Sequence, residues 1–202
     1  MNEEIKKPAR EPREDAVLIR AFCEGDKAAF DNLVLKHKDR VFNLCYRLLG
    51  DYEEANDSAQ EAFIKVYGSL KKFRFESAFS TWLYRIAVNT CKNKHKSWTF
   101  RQKRKTVFVD NPVSGNRAQP GREIQDDSQS PAMVLEKKER MRAIQEAINA
   151  LPPEQKEVVT LRDIEGFSYE EVAEITGLNL GTVKSRLARA RQDLRKKLRS
   201  VI

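Results

Sequence analysis

The chain has 202 residues, of which 40% are hydrophobic, and these values fit one or two small domains rather than one large core. Lys and Arg number 38 against 30 Asp and Glu, so the net charge of +8 at pH 7 favours a polyanionic partner. The N-terminal segment is highly charged, and no apolar run approaches the roughly 20 residues that span a bilayer. We therefore expect a cytoplasmic protein that is not inserted in a membrane.

The cysteines argue against a disulfide framework and against a zinc site. The chain has three cysteines, which lie far apart in the sequence and form no Cys-x-x-Cys pair: Cys23, Cys45 and Cys91. The pattern predicts no metal and no cofactor. Whether any of the three thiols is redox-active stays open at this point.

Proline positions divide the chain. None lies between Pro12 and Pro112, and this interval carries repeated 3.6-residue periodicity of apolar side chains, which predicts a helical bundle. The expected helices are Asp15–Glu24, Lys27–Leu49, Tyr52–Leu70 and Ser80–Trp98.

The third of these helices begins with an acidic stretch. Between Asp51 and Glu61 there are five acids and no base. Acids at a helix N-terminus complement the helix dipole, so a solvated helix start is one interpretation. The other is a protein-docking face, because phosphate would repel an acidic patch on a DNA-binding protein. The residues alone leave both open.

The fourth helix and the loop before it combine aromatic with basic residues. Six aromatic residues lie between Phe73 and Trp98, and the segment from Lys92 to Lys105 has seven Lys or Arg and no acid. Phe79 and Leu83 share a face that fits a core, whereas the opposite face is polar. Exposed aromatic rings beside cations can stack unpaired bases. The alternative is a basic helix whose aromatic residues are only core.

Residues 106–133 change character, with three Pro, two Gly and many polar residues, and we expect a flexible linker that leaves the flanking domains free to move. Helical periodicity resumes at Val134–Ala150. A helix with Pro in its first turn then runs through Gln155–Glu165. The expected fold class is all-α, with two small helical domains, residues 15–105 and 134–202, on either side of the linker.

The second domain ends in a helix-turn-helix pattern. Ser168–Thr176 predicts a short helix and Gly177 a turn, while Ala173 and Val183 have the sizes that a close helix crossing needs. The last helix, residues 180–199, has an apolar seam, and its segment 184–199 carries eight Lys or Arg and one Asp. Its polar face can enter a major groove of DNA.

The chain resembles a bacterial RNA polymerase sigma factor of the extracytoplasmic-function (ECF) class, especially its sigma-E-like branch. Two blocks carry the resemblance: DYEEANDSAQEAFIKVYGSLKKFRFESAFSTWLYRIAVNTCKN, and further on LPPEQKEVVTLRDIEGFSYEEVAEITGLNLGTVKSRLARAR. The string TWLYRIAVNT is particularly close to the sigma-E-like branch. The resemblance covers roughly residues 15–98 and 134–199.

The resemblance implies roles for the surfaces of the first domain. The acidic helix would bind core RNA polymerase through Asp57, Gln60, Glu61, Phe63 and Ile64. The following loop and helix would open the promoter −10 element and hold the melted strand through Phe73, Trp82, Arg85, Asn89 and Lys92.

It also implies that the second domain reads the duplex −35 element. The residues implied are Arg162, Thr182, Lys184, Ser185, Arg186 and Arg189. The family further implies an anti-sigma factor, which can be membrane-anchored, as a partner.

Two rival functions follow from the same residues. A stand-alone helix-turn-helix regulator would bind a symmetric operator without polymerase, but neither a ligand pocket nor a long dimerisation heptad is evident. An enzyme acting on nucleic acid would need a catalytic motif, and the chain carries no P-loop, His-x-Glu with Cys-x-x-Cys, or His-Glu-x-x-His. We therefore expect a factor that acts by binding and not by catalysis.

Overall fold

The computed structural model describes residues 13–105 and 131–199, and within these ranges the protein is all-α. This confirms the predicted fold class. The helices are α1 (Arg13–Cys23), α2 (Lys27–Leu49), α3 (Tyr52–Ser69), α4 (Phe79–Lys105), α5 (Pro131–Asn149), α6 (Pro153–Val159), α7 (Tyr169–Thr176) and α8 (Leu180–Leu198).

Local sequence signals explain where helices of the first domain begin and end. Asp26 and Asp51 are N-caps whose carboxylates accept hydrogen bonds from backbone N–H groups of α2 and α3. Gly50 ends α2 with a φ of +77°, a left-handed conformation that a side chain would disfavour. A 3₁₀ turn, Leu70–Lys72, follows α3 and leads into the loop before α4.

The core of the first domain is formed where α1, α2, α3 and α4 face one another. The predicted inward residues Leu33, Val41 and Leu44 of α2 are almost fully buried, as are Ala62 and Val66 of α3. On α4 the predicted core face is also confirmed, because Phe79, Leu83 and Ala87 are each 0% exposed. These contacts hold α3 and α4 side by side.

One polar pair is buried in this core. Asp15 is 1% exposed, and its carboxylate lies 3.0 Å from His37 Nε2 and 2.8 Å from Lys36 Nζ. Burial on its own would raise the pKa of Asp15, but the hydrogen bonds from His37 and Lys36 outweigh burial and hold that pKa below its ordinary value. These contacts hold α1 against α2.

The second domain contains the helix-turn-helix that the sequence predicts. Ser168 caps α7 in a reciprocal capping box with Glu171, and Gly177 ends it with a φ of +72°. Val183 and Leu187 of α8 are buried against α7. Before α7, residues Thr160–Ile164 form a π-helical turn that continues from α6.

Two boundaries differ from the prediction by three residues or more. Helix α4 continues to Lys105, beyond the expected end at Trp98, because no Gly or Pro interrupts residues 99–105. Helix α5 begins at Pro131, so residues 131–133, which were assigned to the linker, are helical. Proline is well tolerated in the first turn of a helix, where its missing N–H has no partner to lose. The rest of the predicted linker lies outside the described residues.

The two domains contact each other, whereas the composition of the linker predicts domains that move freely. Helix α4 packs against α7, and α2 packs against α5. The hydroxyl of Tyr84 donates a hydrogen bond of 2.8 Å to Glu165 Oε2, and the Tyr84 and Phe167 rings lie 4.7 Å apart. The second domain therefore covers part of α4, including Tyr84.

Candidate nucleic-acid and protein interfaces

Helix α3 presents the acidic surface to solvent. Asp57, Gln60 and Glu61 are exposed, and Ile64, one turn further along, is 71% exposed. Phe63 is partly buried and packs against the core, so its contribution to this surface is partial. A single exposed isoleucine is ordinary on a protein surface, so this geometry leaves both a protein-docking face and a solvated helix start open.

One lysine of α4 organises part of this surface. Lys94 Nζ lies 2.7 Å from Glu54 Oε2 and 3.2 Å from Asp57 Oδ2. Partial burial would lower the pKa of Lys94, but the hydrogen bonds to Glu54 and Asp57 dominate and raise it. Lys94 therefore stays charged and fixes the Asp57 carboxylate at the end of the acidic surface that faces α4.

The loop before α4 and the first turn of α4 form an aromatic cluster, made of Phe73, Phe75, Phe79 and Trp82. Phe79 is fully buried at the inner end of the cluster. The ring centroids of His37 and Phe79 lie 5.4 Å apart. Phe73 and Trp82 are half-buried, and their ring centroids lie 5.2 Å apart. The cluster therefore extends from the core of the first domain to its surface.

Phe75 is one of the six aromatic residues noted in the sequence, but it is not among the residues that the resemblance assigns to the −10 element. It is 43% exposed, and it has a φ of +56°. Among the described residues no other non-glycine has a positive φ. The sequence carries no signal for this conformation, because a phenylalanine in a loop is normally expected at negative φ.

The polar face of α4 faces the second domain. Lys92 Nζ lies 2.7 Å from Glu157 Oε1, and Arg85 Nη1 lies 4.0 Å from Glu174 Oε1. Asn89, between them on the same face, is exposed. The sequence therefore grouped three residues that do share a face, but two of them are paired with carboxylates of the second domain.

Burial at this contact shifts two protonation equilibria. The pKa of Glu157 is raised by burial, and the nearby Lys92 opposes that shift. The pKa of Tyr84 is raised by burial and by the adjacent Glu165 carboxylate. The Tyr84 hydroxyl therefore remains protonated and available as a donor to Glu165 throughout the physiological range.

Helix α8 displays the residues predicted to read duplex DNA. Asn179 is its N-cap and accepts a hydrogen bond from Thr182 N, which fixes the first turn. Lys184, Ser185 and Arg189 are exposed along the outer side of the helix. The buried seam of Val183 and Leu187 faces the opposite way, so the polar side is open to a partner.

Two arginines of the predicted set have partners within the protein. Arg186 Nη2 lies 2.7 Å from Glu154 Oε2 of α6. Arg162 Nη1 donates a 2.9 Å hydrogen bond to the Phe167 carbonyl, and its guanidinium lies 4.9 Å from the Tyr169 ring centroid. Arg162 therefore supports the turn before α7, and a contact from it to phosphate stays a prediction.

The described residues show two further absences. Across 13–105 and 131–199 no helix is long and apolar enough to cross a membrane. The same part of the chain brings together no group of three or more His, Cys, Asp or Glu side chains that could hold a metal ion.

Comparison with known proteins gives matches in both domains. Residues 33–104 match the model for Sigma-70 region 2, and residues 141–194 match the model for Sigma-70, region 4. The RNA polymerase sigma-H factor of Pseudomonas aeruginosa is 39% identical over 191 residues, which span 94% of this chain and 96% of that protein. The ECF RNA polymerase sigma factor SigW of Bacillus subtilis is 37% identical, over 91% of this chain and 96% of its own length.

A solved structure supports the fold independently. The sigma factor RpoE of Bartonella quintana, in complex with the anti-sigma factor NepR, superposes with a TM-score of 0.64 at 24% identity. The match covers 84% of this chain and 96% of that one. The family models and the relatives in sequence identify the chain as a member of the ECF RNA polymerase sigma factors.

Proposed function

We propose that the two domains of this sigma factor divide promoter recognition between separate surfaces. Residues 15–105 bind core polymerase and open the −10 element, and residues 134–202 read the −35 element. The observation that carries this proposal is the distribution of charge: acids concentrate on α3, where Lys65 and Lys94 are already paired with Glu61 and Asp57, whereas the basic clusters lie on α4 and α8. A surface that repels phosphate and surfaces that attract it are thus kept apart.

The acidic surface of α3 is the proposed polymerase contact. Ile64 supplies an exposed apolar centre, and Asp57 and Glu61 supply charge around it. Reversing the charge of both acids should reduce capture of the chain by core polymerase. The matched control is Glu170→Lys, an exposed acid on α7 that lies off the surface. Equal capture of the wild-type chain and the double variant would remove this assignment.

The aromatic cluster and the polar face of α4 are the proposed −10 site. Asn89 is free to contact a base, and Phe73 and Trp82 offer ring surface at the loop. Changing Asn89 to Ala should leave closed-complex formation largely intact and lower strand opening, measured by permanganate reactivity of unpaired thymines. Normal reactivity in the variant would contradict the role of this face.

Use of this site requires the domains to separate. Lys92 and Arg85 are paired with Glu157 and Glu174, so these carboxylates occupy the cations that the proposal assigns to the DNA strand. DNA phosphates and the second domain therefore compete for the same residues. Binding to polymerase, which holds both domains on separate promoter elements, would favour the open arrangement.

Helix α8 is the proposed −35 reader. Its exposed Arg189 and Lys184 can reach base edges or phosphates in a major groove, and Thr182 and Ser185 lie at the groove-entering end. Arg189→Ala should weaken transcription from −35-dependent promoters. Arg199→Ala, an exposed charge at the far end of α8, is the control. Unchanged promoter preference in Arg189→Ala would count against the assignment.

The proposal includes partners and location. We propose residence in the cytoplasm and regulation by an anti-sigma factor. Family membership supports both, and the sigma factor of Bartonella quintana is in complex with the anti-sigma factor NepR. The chain acts by shifting the equilibrium between closed and open promoter, a binding process that requires no catalytic residue. A stand-alone regulator is set aside by the polymerase-dependent family to which the chain belongs.

A further inference from the structure

Three carboxylates of the acidic surface on α3 are already paired with lysines of the same chain. Lys94 Nζ of α4 lies 3.2 Å from Asp57 Oδ2 and 2.7 Å from Glu54 Oε2. Lys65 Nζ, on α3 itself, lies 2.7 Å from Glu61 Oε1. Because three carboxylates face two ammonium groups, this part of the surface has a net charge of only −1. The surface is rich in acids and yet close to neutral.

Both lysines are held where α3 and α4 meet. Lys65 Nζ donates a 3.0 Å hydrogen bond to the hydroxyl of Thr90, which in turn donates to the Ile86 carbonyl. Lys94 lies one turn after Thr90 on α4 and reaches across to the carboxylates of α3. A single turn of α4 therefore positions both ammonium groups beside the acidic surface.

Stability of the fold explains these ion pairs poorly. The two helices are already packed together through fully buried apolar residues: Ala62 and Val66 of α3, and Leu83 and Ala87 of α4. The side chains of Asp57 and Glu61 remain 66% and 52% exposed in their pairs. Ion pairs in contact with water contribute little to stability. The pairs therefore matter more for what can bind this surface than for the fold.

A cation of a partner meets an obstacle at each of these carboxylates. To contact Asp57 or Glu61 it must displace an ammonium group, or lie beside that group against like-charge repulsion. Ile64, one turn further along α3, is 71% exposed and offers apolar contact without this cost. Apolar contact therefore carries most of the affinity of the surface, and the charges add only what remains after the displacement.

We propose that Lys65 and Lys94 are part of the polymerase contact and limit its strength. In the free chain they occupy the carboxylates that cations of the partner take over on binding. The inference rests on the proposed polymerase-binding function of α3. It also describes the partner surface: two cations about 6 Å apart, the separation of side chains one helical turn apart, beside an apolar pocket for Ile64. The acids then select this arrangement more than they strengthen it, because one ion pair is exchanged for another.

The test measures binding of core polymerase to the full chain, which carries a dye on the exposed Cys23, by fluorescence anisotropy over a range of salt concentrations. Lys65→Met and Lys94→Met, singly and together, remove the ammonium groups and keep most of the side-chain length. Lys94→Arg retains the charge. Lys38→Met removes an exposed lysine of α2, so it changes the net charge of the chain as each single variant does.

At about 50 mM salt each single variant should bind core polymerase about threefold more tightly than the wild type, and the double variant about tenfold. These differences should disappear at about 500 mM salt, because charges in contact with water are then screened. Lys94→Arg and Lys38→Met should bind as the wild type does. Loss of a merely structural ion pair would weaken binding, which is the opposite sign.

Other outcomes overturn the proposal. If the double variant binds core polymerase no more tightly than the wild type at low salt, whatever its unfolding temperature, the lysines only support the fold. Lys65→Met, at a side chain that is 43% exposed, keeps the test decisive if changes at Lys94 disturb folding.

The proposed polymerase contact can be judged separately. If charge reversal at Asp57 and Glu61 weakens capture while the lysine variants bind as the wild type does, this inference fails and the proposed contact stands. If the charge reversal leaves capture unchanged, both fail.

Discussion

The contact between the domains rests in part on a single hydroxyl, which makes it open to a precise test. Tyr84 is 2% exposed and donates a 2.8 Å hydrogen bond across the contact to Glu165. Tyr84→Phe removes this donor and keeps the ring, whose centroid lies 4.7 Å from that of Phe167. Since Tyr84 is not among the proposed DNA contacts, the change alters domain closure without altering the −10 site.

The magnitude follows from the chemistry of the pair. Hydrogen bonds to charged acceptors contribute about 1.5–3 kcal/mol. Glu165 is only partly buried and can recover hydrogen bonds from water in the variant, so the lower end of the range applies. A loss of about 1.5 kcal/mol shifts the equilibrium between closed and open domains roughly tenfold towards open.

Energy transfer between two dyes measures this shift. Cys23 is exposed, whereas Cys45 and Cys91 are buried, so one dye can be placed on Cys23 and a second on Gln192→Cys, an exposed position of α8. Tyr84→Phe should move part of the population to lower transfer efficiency. Affinity of the free chain for the unpaired −10 strand should rise in step, because Lys92 and Arg85 are released.

Tyr67→Phe is the matched control. Tyr67 packs on Phe22 and Phe30 within the first domain, away from the contact. An unchanged transfer distribution in Tyr84→Phe, together with unchanged strand affinity, would refute the reasoning that this bond holds the domains closed and that closure competes with DNA.

Three further outcomes are expected. Ile64→Ala should change stability by less than about 0.5 kcal/mol, as the side chain is 71% exposed, yet weaken core polymerase binding about tenfold, measured by titration with labelled core. Gly177→Ala should cost about 1–2 kcal/mol of unfolding free energy by denaturant titration, all of it backbone strain at φ +72°, since a Cβ there meets nothing within 4 Å. Asp15 has a lowered pKa in the folded protein, so its contribution to stability is complete above its unfolded pKa and is lost as the pH falls through the folded value. The free energy of unfolding should therefore differ less between pH 7 and pH 3 in Asp15→Asn than in the wild type. An equal decrease in both proteins would contradict the role of the Asp15–His37 pair.

Periodicity and capping signals predicted most of the fold, because they act within a few residues. The turn at Gly177 and the buried seam from Val183 to Leu187 follow directly from spacing along the helix. The extent of α4 was underestimated because polar, basic residues give little periodic signal after Trp98. Helix propensity, and not apolar periodicity, continues α4 beyond Trp98.

Contacts between distant residues were beyond the sequence. The buried Asp15–His37 pair joins residues 22 apart, and the Tyr84–Glu165 bond joins residues 81 apart. A single sequence gives no sign of which acid meets which base across a fold. The same holds for Phe75, whose positive φ is imposed by the loop as a whole and not by its own residue type.

Two modules of one chain are expected to read separate promoter elements only when polymerase holds them in register. Two selections from one randomised promoter library test this most directly: run-off transcription by the holoenzyme, and duplex binding by the chain without core polymerase. The holoenzyme should select two short sequence blocks at a fixed spacing, and the chain without core polymerase should select neither. Selection of a single palindromic duplex by the chain alone, with no requirement for core, would contradict it.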